Sequence, residues 1–255
     1  TGAIVARCLD ADLYENWTDV SGFLSADPRI VQNPRAIGRI TFDEMRELSY
    51  MGASVLQEEA IFPVREANIP IQIKNTNRPE DAGTVIRETA DGDTNEHLIT
   101  GIAGKKDFLA IHVKKAHMSN EVGVISRALN IVERYGVSVE HIPTGVDSFG
   151  IVVNASDVKD TVYSIISDIR REIEPDDITM VDRLALVSVV GRNMSRRSGT
   201  SGKIFGALGN AGVNIRMITQ SSEEISIIVG VDNADFDRTI GVIYNGFVRD
   251  EMVSR

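Results

Sequence analysis

Residues 107–154 read DFLAIHVKKAHMSNEVGVISRALNIVERYGVSVEHIPTGVDSFGIVVN, and residues 183–230 read RLALVSVVGRNMSRRSGTSGKIFGALGNAGVNIRMITQSSEEISIIVG. The two stretches align without a gap, at the offset that lays Met118 on Met194. Gly123 then meets Gly199, Gly136-Val137 meets Gly212-Val213, Val113 meets Val189, and Ile142 meets Ile218. Ile151 and Val153 fall on Ile227 and Val229. One period held over so many positions indicates a duplicated unit.

Each copy predicts one supersecondary unit. Residues 108–113 and 184–190 are short apolar runs rich in branched side chains, which suits strands. A polar, glycine-containing turn follows. Val124, Ile125, Ala128, Leu129 and Val132 then give the apolar spacing of a helix that Gly136 ends. Ile204, Phe205 and Leu208, closed by Gly212, are the second copy's version. Residues 137–142 and 149–153 alternate as a hairpin does, as do 213–218 and 225–231. Helices are predicted over 158–173 and 235–244, and residues 178–181 close the first unit as β-α-β-β-α-β. That is the ferredoxin-like order.

The second unit lacks a closing strand after its last helix, and an orphan apolar run, residues 98–102, precedes the first unit. The orphan run is therefore expected to complete the second unit's sheet, with the first unit inserted inside the second. The pair resembles the tandem ACT regulatory module, which implies binding of small amino acids at subunit or domain interfaces.

Composition narrows the classes. The chain has 255 residues and a formal net charge of −10, with a sequence pI near 5.0. That balance argues against nucleic-acid or anionic-membrane partners. No apolar run is long enough to span a bilayer, and no signal peptide is visible. The single cysteine, Cys8, excludes an intramolecular disulfide, fits a cytoplasmic location, and reads as a small core residue. Four scattered histidines offer no metal-ligand spacing, so no metal site is expected. The chain opens at Thr1, inside an apolar helical pattern (Ile4, Val5, Leu9), and is read as a piece of a longer chain.

Residues 1–86 have a different texture. An apolar strand reaching Trp17 gives way to Thr18-Asp19-Val20-Ser21-Gly22, a sequence suited to presenting amides and a carboxylate at a sheet edge. A helix is predicted over 41–51, because Thr41 with Glu44 three residues later makes a capping box. Further elements are a helix over 58–67 and a buried strand over 69–73. Residues 87–96 are acidic and polar and read as a linker.

Trp17-Thr18-Asp19-Val20, Ala26-Asp27-Pro28-Arg29-Ile30-Val31, Glu47-Leu48-Ser49-Tyr50-Met51-Gly52-Ala53 and Ile69-Pro70-Ile71-Gln72-Ile73-Lys74-Asn75-Thr76 resemble the C-terminal part of the aspartate kinase catalytic domain. The spacing to Gly83-Thr84-Val85-Ile86, and Gly212-Val213-Asn214-Ile215-Arg216-Met217-Ile218 in the second unit, resemble the same family. The resemblance implies an α/β chain: the end of an amino-acid-kinase sandwich (1–86), a linker (87–96), a strand for the second ACT domain (97–103), the first ACT domain (104–181) and the second (182–250). It implies MgATP-dependent phosphorylation of L-aspartate, the first step toward lysine, threonine and methionine, under feedback control. Thr18, Asp19, Arg29, Ser54 and Val55 fall where the family meets ATP and its Mg2+. Capping of a turn by Asp19, and pairing of Arg29 with Asp27 or Asp43, are the plainer readings. The chain departs from the family at Leu24 (commonly tyrosine), Ser54 (commonly lysine) and Gln57-Glu58 (commonly histidine-proline). The family's phosphate loop and aspartate-binding residues have no counterpart here, so the segment alone is expected to be inactive.

For the effector, the resemblance implies contacts at Met118, Ser119, Asn120, Glu121, Val124, Ile125, Ser138, Val139 and Glu140. Amides near residues 120–123, at a helix start, suit an α-carboxylate. Glu140 suits a lysine ammonium, whereas the second copy has Arg216 there, with Arg196-Arg197 in its turn. Threonine is the rival effector, and a solvated Glu140 paired with Lys114 is the alternative role. Two function classes remain: the C-terminal portion of an aspartate kinase, homodimeric through its ACT domains, or a separately expressed amino-acid-binding regulatory subunit.

The nesting generates a stability prediction. A chain starting at Asp107 is expected to melt at lower temperature and to lose amide protection across residues 184–190. Unchanged protection there would rule the pairing out.

Overall fold

Two long strands, each interrupted by a pair of charged residues, set the architecture. The computed structural model describes residues 1–53, 55–56, 58–89, 97–195 and 197–249. In the front portion, helix α1 (Gly2–Cys8) precedes strand β1 (Tyr14–Thr18), and the short strands β2 (Phe23–Leu24) and β3 (Ala36–Ile37) pair with each other. Strand β4 (Arg39–Thr41) leads into helix α2 (Phe42–Tyr50), and helix α3 (Glu58–Glu66) precedes strands β5 (Ile71–Asn75) and β6 (Thr84–Arg87). These strands form a four-stranded sheet in the order β1-β5-β6-β4. The strands β1 and β5 run parallel, as do β4 and β6.

Behind it lies a five-stranded antiparallel sheet. Its central pair is β7 (Gly101–Lys114) and β9 (Asp177–Val190), each with 14 residues. Strand β8 (Ser148–Asn154) flanks β7, while β10 (Met217–Gln220) and β11 (Ser226–Asp232) extend the sheet beyond β9. The first unit thus uses the end of β7 and the start of β9. The second uses the start of β7 against the end of β9, with Gly101 opposite Val190 and Lys105 opposite Leu186. Where the strands cross from one unit to the other, the register breaks between Lys105 and Phe108, and Asp107 and Arg183 take positive φ of 69° and 53°. Such bulges let a strand change partners without losing the sheet.

The helices cover one face. Helices α4 (Val124–Arg134) and α5 (Val162–Ile173) bury Ala128, Ile131, Ile165 and Ile169 against Leu109, Ile111 and Val113. Helices α6 (Thr200–Asn210) and α7 (Phe236–Ile243) do the same over Ala185, Val187 and Val189. Gly136 and Gly212, which follow α4 and the turn closing α6, adopt φ of 68° and 72°, the conformation that glycine takes without strain. The other face, with Phe108, Ala110, Leu184 and Leu186, belongs to the core that holds Leu48 and Met51 of the front portion.

Four expectations are corrected. Cys8 is exposed, because α1 buries only Ala3 and Ala6. The strand paired with residues 186–190 is residues 101–105 rather than 98–102, with Leu98 and Ile99 instead packed into the second unit's core. Residues 137–142 form no regular strand. Only His141 and Thr144 bridge to β8, because Pro143 has no N–H to donate and restrains Ile142 before it. The helix expected from 158 starts at Val162, after a turn that still buries Val158. Most of the expected linker, residues 90–96, lies outside the described residues.

The front portion and the five-stranded sheet are joined by a buried carboxylate. Thr41 and Glu44 form the capping box of α2. Glu44 is fully buried, so its charge needs partners. Its Oε2 accepts from the Thr41 amide at 3.0 Å and from the Arg192 guanidinium at 2.8 Å. Its Oε1 accepts from Thr100 Oγ1 at 2.6 Å and from the Arg192 amide at 3.0 Å. One side chain therefore starts a helix and fastens it to both the chain entering β7 and the loop leaving β9. Arg192→Ala, which leaves this carboxylate without its cation, is expected to lower stability by about 3–5 kcal/mol in denaturant titration. A loss below about 1 kcal/mol would mean that the pair fastens little.

Candidate functional site

The nucleotide candidates start from the end of β1. Thr18 closes the strand opposite Asn75 of β5. Its carbonyl accepts from Thr76 N at 2.8 Å and Thr76 Oγ1 at 3.0 Å, and its own hydroxyl donates to Asp19 Oδ1 at 3.1 Å. The chain then turns at Gly22, where φ is 102° and an added Cβ would lie 2.2 Å from Thr84 Oγ1. Only glycine fits that approach. Thr84 Oγ1 in turn accepts from the Phe23 amide at 2.8 Å and donates to the Ile37 carbonyl at 2.6 Å.

This turn forms one wall of a cavity of about 810 Å³. Arg29 and Val55 line it, as do Gly52 and Ala53 just past the end of α2. Thr18 and Asp19 sit immediately before its wall at Val20 and are not among its lining residues. Ser54 lies outside the described residues. Three cationic side chains, Arg29, Arg78 and Lys106, face two carboxylates, Asp27 and Asp81, around the space. The remaining wall comes from the five-stranded sheet and α7, through Ile102, Ala103, Phe236 and Ile240. Arg78, Lys106 and the wall from the five-stranded sheet escaped the sequence reading. The signal for Lys106 was the Lys105-Lys106-Asp107 break between two apolar runs, since a bulge in a long strand needs such a break.

Arg29 is already engaged. Its Nε donates to Asp27 Oδ1 at 3.0 Å and its terminal nitrogen to Asp27 Oδ2 at 2.6 Å, while the Arg29 side chain stays 86% exposed. Asp43 instead accepts from Arg65 at 2.8 Å. Arg29 thus holds the Asp27 carboxyl below the usual carboxylate range. The arrangement suits an anion that exchanges with Asp27 for the guanidinium. No cluster of three or more carboxylate, histidine or cysteine side chains suited to a metal occurs among the described residues. A Mg2+ here would be held chiefly by nucleotide phosphates, the ordinary mode for that ion.

The effector candidates fall into two groups. Met118–Asn120 form a 3-10 turn, and the chain reaches Val124 through Gly123, whose φ is 80°. The amides of Asn120 and Glu121 are used inside the turn, bonded to the carbonyls of His117 (2.9 Å) and Met118 (3.1 Å). They are therefore not free for a carboxylate, contrary to expectation. The first-turn amides of α4, from Val124 onward, remain as the donors that a helix start offers. Met118 and Val124 are buried and Ile125 packs beside the same core, whereas Ser119 is exposed. Glu121 pairs with Lys115 at 3.3 Å and also with Arg127, and Lys115 chiefly keeps its carboxyl low.

Ser138, Val139 and Glu140 line a second cavity, of about 680 Å³, between α4 and residues 136–142. None of the candidates from residues 118–125 lines it. Within one chain, then, the two groups do not share this cavity. The Glu140 amide is fixed on the Val152 carbonyl at 2.8 Å. Its carboxylate accepts from the Tyr50 hydroxyl of α2 at 2.5 Å, and no ion pair to Lys114 forms. Tyr50 keeps 53% of its surface exposed. Partial burial and the Glu140 charge push its pKa up to about 12. Beside it, burial lowers the pKa of His141. In the second unit, Arg216 lies 4.0 Å from Asp232.

The chain matches the family model of the amino acid kinase family over residues 1–75 and that of an ACT domain over residues 187–247. Aspartokinase 3 of Bacillus subtilis (strain 168) is 40% identical over 255 residues, covering 100% of this chain and 56% of its own length. The crystal structure of Clostridium acetobutylicum aspartate kinase superposes with a TM-score of 0.93 at 51% identity, covering 96% of this chain and 57% of that one. A crystal structure of aspartokinase alpha and beta subunits superposes at 0.52 and 30% identity, over 58% of this chain and 97% of that one. The chain therefore spans a little over half the length of the first two of these relatives.

The Arg29–Asp27 pair predicts a titration. In the intact chain, Asp27 should titrate below its ordinary value of 3.8, and Arg29→Ala should return it toward that value, read by carboxyl-carbon NMR. The folded-state pKa is depressed, so the pair's contribution is present above the ordinary range and fades as pH falls through the depressed value. Because the guanidinium is exposed, that contribution is small and shrinks with salt. An Asp27 that titrates identically in both proteins would contradict the pair.

Proposed function

We infer the function from one premise: the chain belongs to the aspartate kinase (aspartokinase) family, joining an amino-acid-kinase portion to ACT domains. The proposal is that it forms the C-terminal part of an enzyme that transfers the γ-phosphoryl group of ATP to the side-chain carboxylate of L-aspartate. Its product is 4-phospho-L-aspartate, at the head of lysine, threonine and methionine biosynthesis. The single observation that carries this reading is the cavity walled by both portions, with Arg29 and Val55 on one side and the regulatory sheet on the other. Phosphoryl transfer needs cations and amides set against spreading negative charge, and Arg29, Arg78 and Lys106 supply cations there. Thr18 and Asp19, at the edge of β1, would position the nucleoside end. A shared wall also gives the regulatory pair direct access to nucleotide binding.

The feedback effector is proposed to be lysine, with threonine as the rival. Glu140 supports lysine: it is a half-buried carboxylate on a cavity wall, and its hydrogen-bond partner there is a neutral hydroxyl. The separation of residues 118–125 from residues 138–140 within one chain favours a site completed by a second copy, hence a homodimer paired through its ACT domains. A separately expressed regulatory subunit is the second reading, favoured by the near-complete match to a chain of the alpha and beta subunit structure. Against it stands the kinase portion itself, locked to the regulatory sheet through Glu44 and Arg192. No helix among the described residues is long and apolar enough to cross a membrane.

Titration calorimetry with lysine and threonine tests the effector. Glu140→Gln should weaken lysine binding by about 1.5–3 kcal/mol, the scale of a hydrogen bond to a charged group. Threonine binding that survives Glu140→Gln, with no heat from lysine, would overturn the assignment.

A further inference from the structure

We infer that Tyr50, at the end of the kinase portion's helix α2, is a residue of the effector site, and that its hydroxyl occupies Glu140 until an effector ammonium displaces it. The inference rests on the reading of Glu140 as the acceptor of effector charge.

The contact is specific. Tyr50 and Glu140 lie 90 positions apart in sequence, and the hydroxyl donates to Glu140 Oε2 at 2.5 Å. A hydrogen bond of that length to a carboxylate is of the charge-assisted kind. The geometry on the Glu140 side is fixed by the backbone bond to Val152. On the other side, Tyr50 ends a helix whose start is fastened by Thr41, Thr100 and Arg192. The Lys105 amine sits 5.3 Å from the centre of the Tyr50 ring and so marks the ring rather than the carboxylate as its partner. Tyr50 keeps 53% of its surface exposed, so packing does not force the hydroxyl onto Glu140. The carboxylate draws it there.

The chemistry of exchange follows. A hydroxyl offers a carboxylate one donor and no charge, whereas an ammonium offers three donors and a full positive charge. A cationic effector therefore wins the carboxylate, while an amino acid with a neutral side chain gains too little to break the contact. Tyr50 thereby acts in specificity, by setting a threshold that only a cation passes. Tyr50 ends α2, and residues just beyond it, Gly52, Ala53 and Val55, line the cavity assigned to the nucleotide.

Calorimetry with L-lysine on the full chain, in wild type, Tyr50→Phe, Glu140→Gln and the double variant, tests the exchange. Tyr50→Phe should bind lysine about 3- to 10-fold more tightly, the worth of one hydrogen bond removed from competition. In the Glu140→Gln background the same change should have no effect, because the two residues act as one unit. Equal or weaker lysine binding by Tyr50→Phe, with Glu140→Gln still impaired, overturns the exchange and leaves the Glu140 reading standing. Lysine binding indifferent to Glu140→Gln overturns both. NMR of ring-labelled tyrosine is the second measurement, should Tyr50→Phe fold poorly. Saturating lysine must move the Tyr50 Cζ resonance of the wild-type chain toward that of a free tyrosine, and a resonance that stays in place overturns the exchange.

Discussion

The pairing of β7 with β9 is the constraint on which the rest depends. Each strand serves two ferredoxin-like units in turn, so neither unit has a complete sheet without strands that run on into the other. The insertion of the first unit inside the second is the sequence-level consequence: the chain enters through the second unit's strand, completes the first unit, and returns. Backbone hydrogen bonds are then continuous from β10 to β8, and the two helical layers sit on one face of a single sheet. The opposite face is left apolar, and Leu48 of α2 and Met51 just past its end cover it. The front portion and the five-stranded sheet are therefore layers of one core rather than separate bodies on a tether.

Much of this was legible because local spacing reports it. The repeat places Gly136 and Gly212 at equivalent left-handed positions, and the Thr41-Glu44 box announces a helix start that the structure contains. Apolar periodicity reports which side of a helix is greasy, but not what covers it. Cys8 shows the difference: Ile4, Val5 and Leu9 mark an apolar pattern around it, yet all of them are exposed here. The irregular stretch around Pro143 was written in the sequence too, as a residue that cannot donate to a ladder. Its alternating neighbours outweighed it.

The candidate site was legible in part, and the division is physical. Arg29 and Val55 are found together because both lie on short segments after strand or helix ends, positions that sequence punctuation exposes. Partners brought in from far along the chain leave no such trace. Nothing local to Glu44 indicates that Arg192 will meet it, and nothing local to Glu140 indicates Tyr50. The two contacts also differ in kind. The Glu44 cluster is buried and saturated with donors, so it has one arrangement, whereas the half-open Tyr50–Glu140 contact has an alternative partner available from solvent.

Glu44 also bears on how freely such chains can be recombined. A pair of units built from repeats invites exchange between relatives, with the junction placed in the acidic stretch before β7. Here that junction would separate Glu44 from both Thr100 and Arg192. A hybrid whose incoming half lacks a cation at the end of β9 would inherit a carboxylate in an apolar core with its helix cap still intact. The graft would fold locally and fail at the seam. Compatibility between donor and recipient is therefore decided less by overall similarity than by whether an arginine stands where Arg192 does.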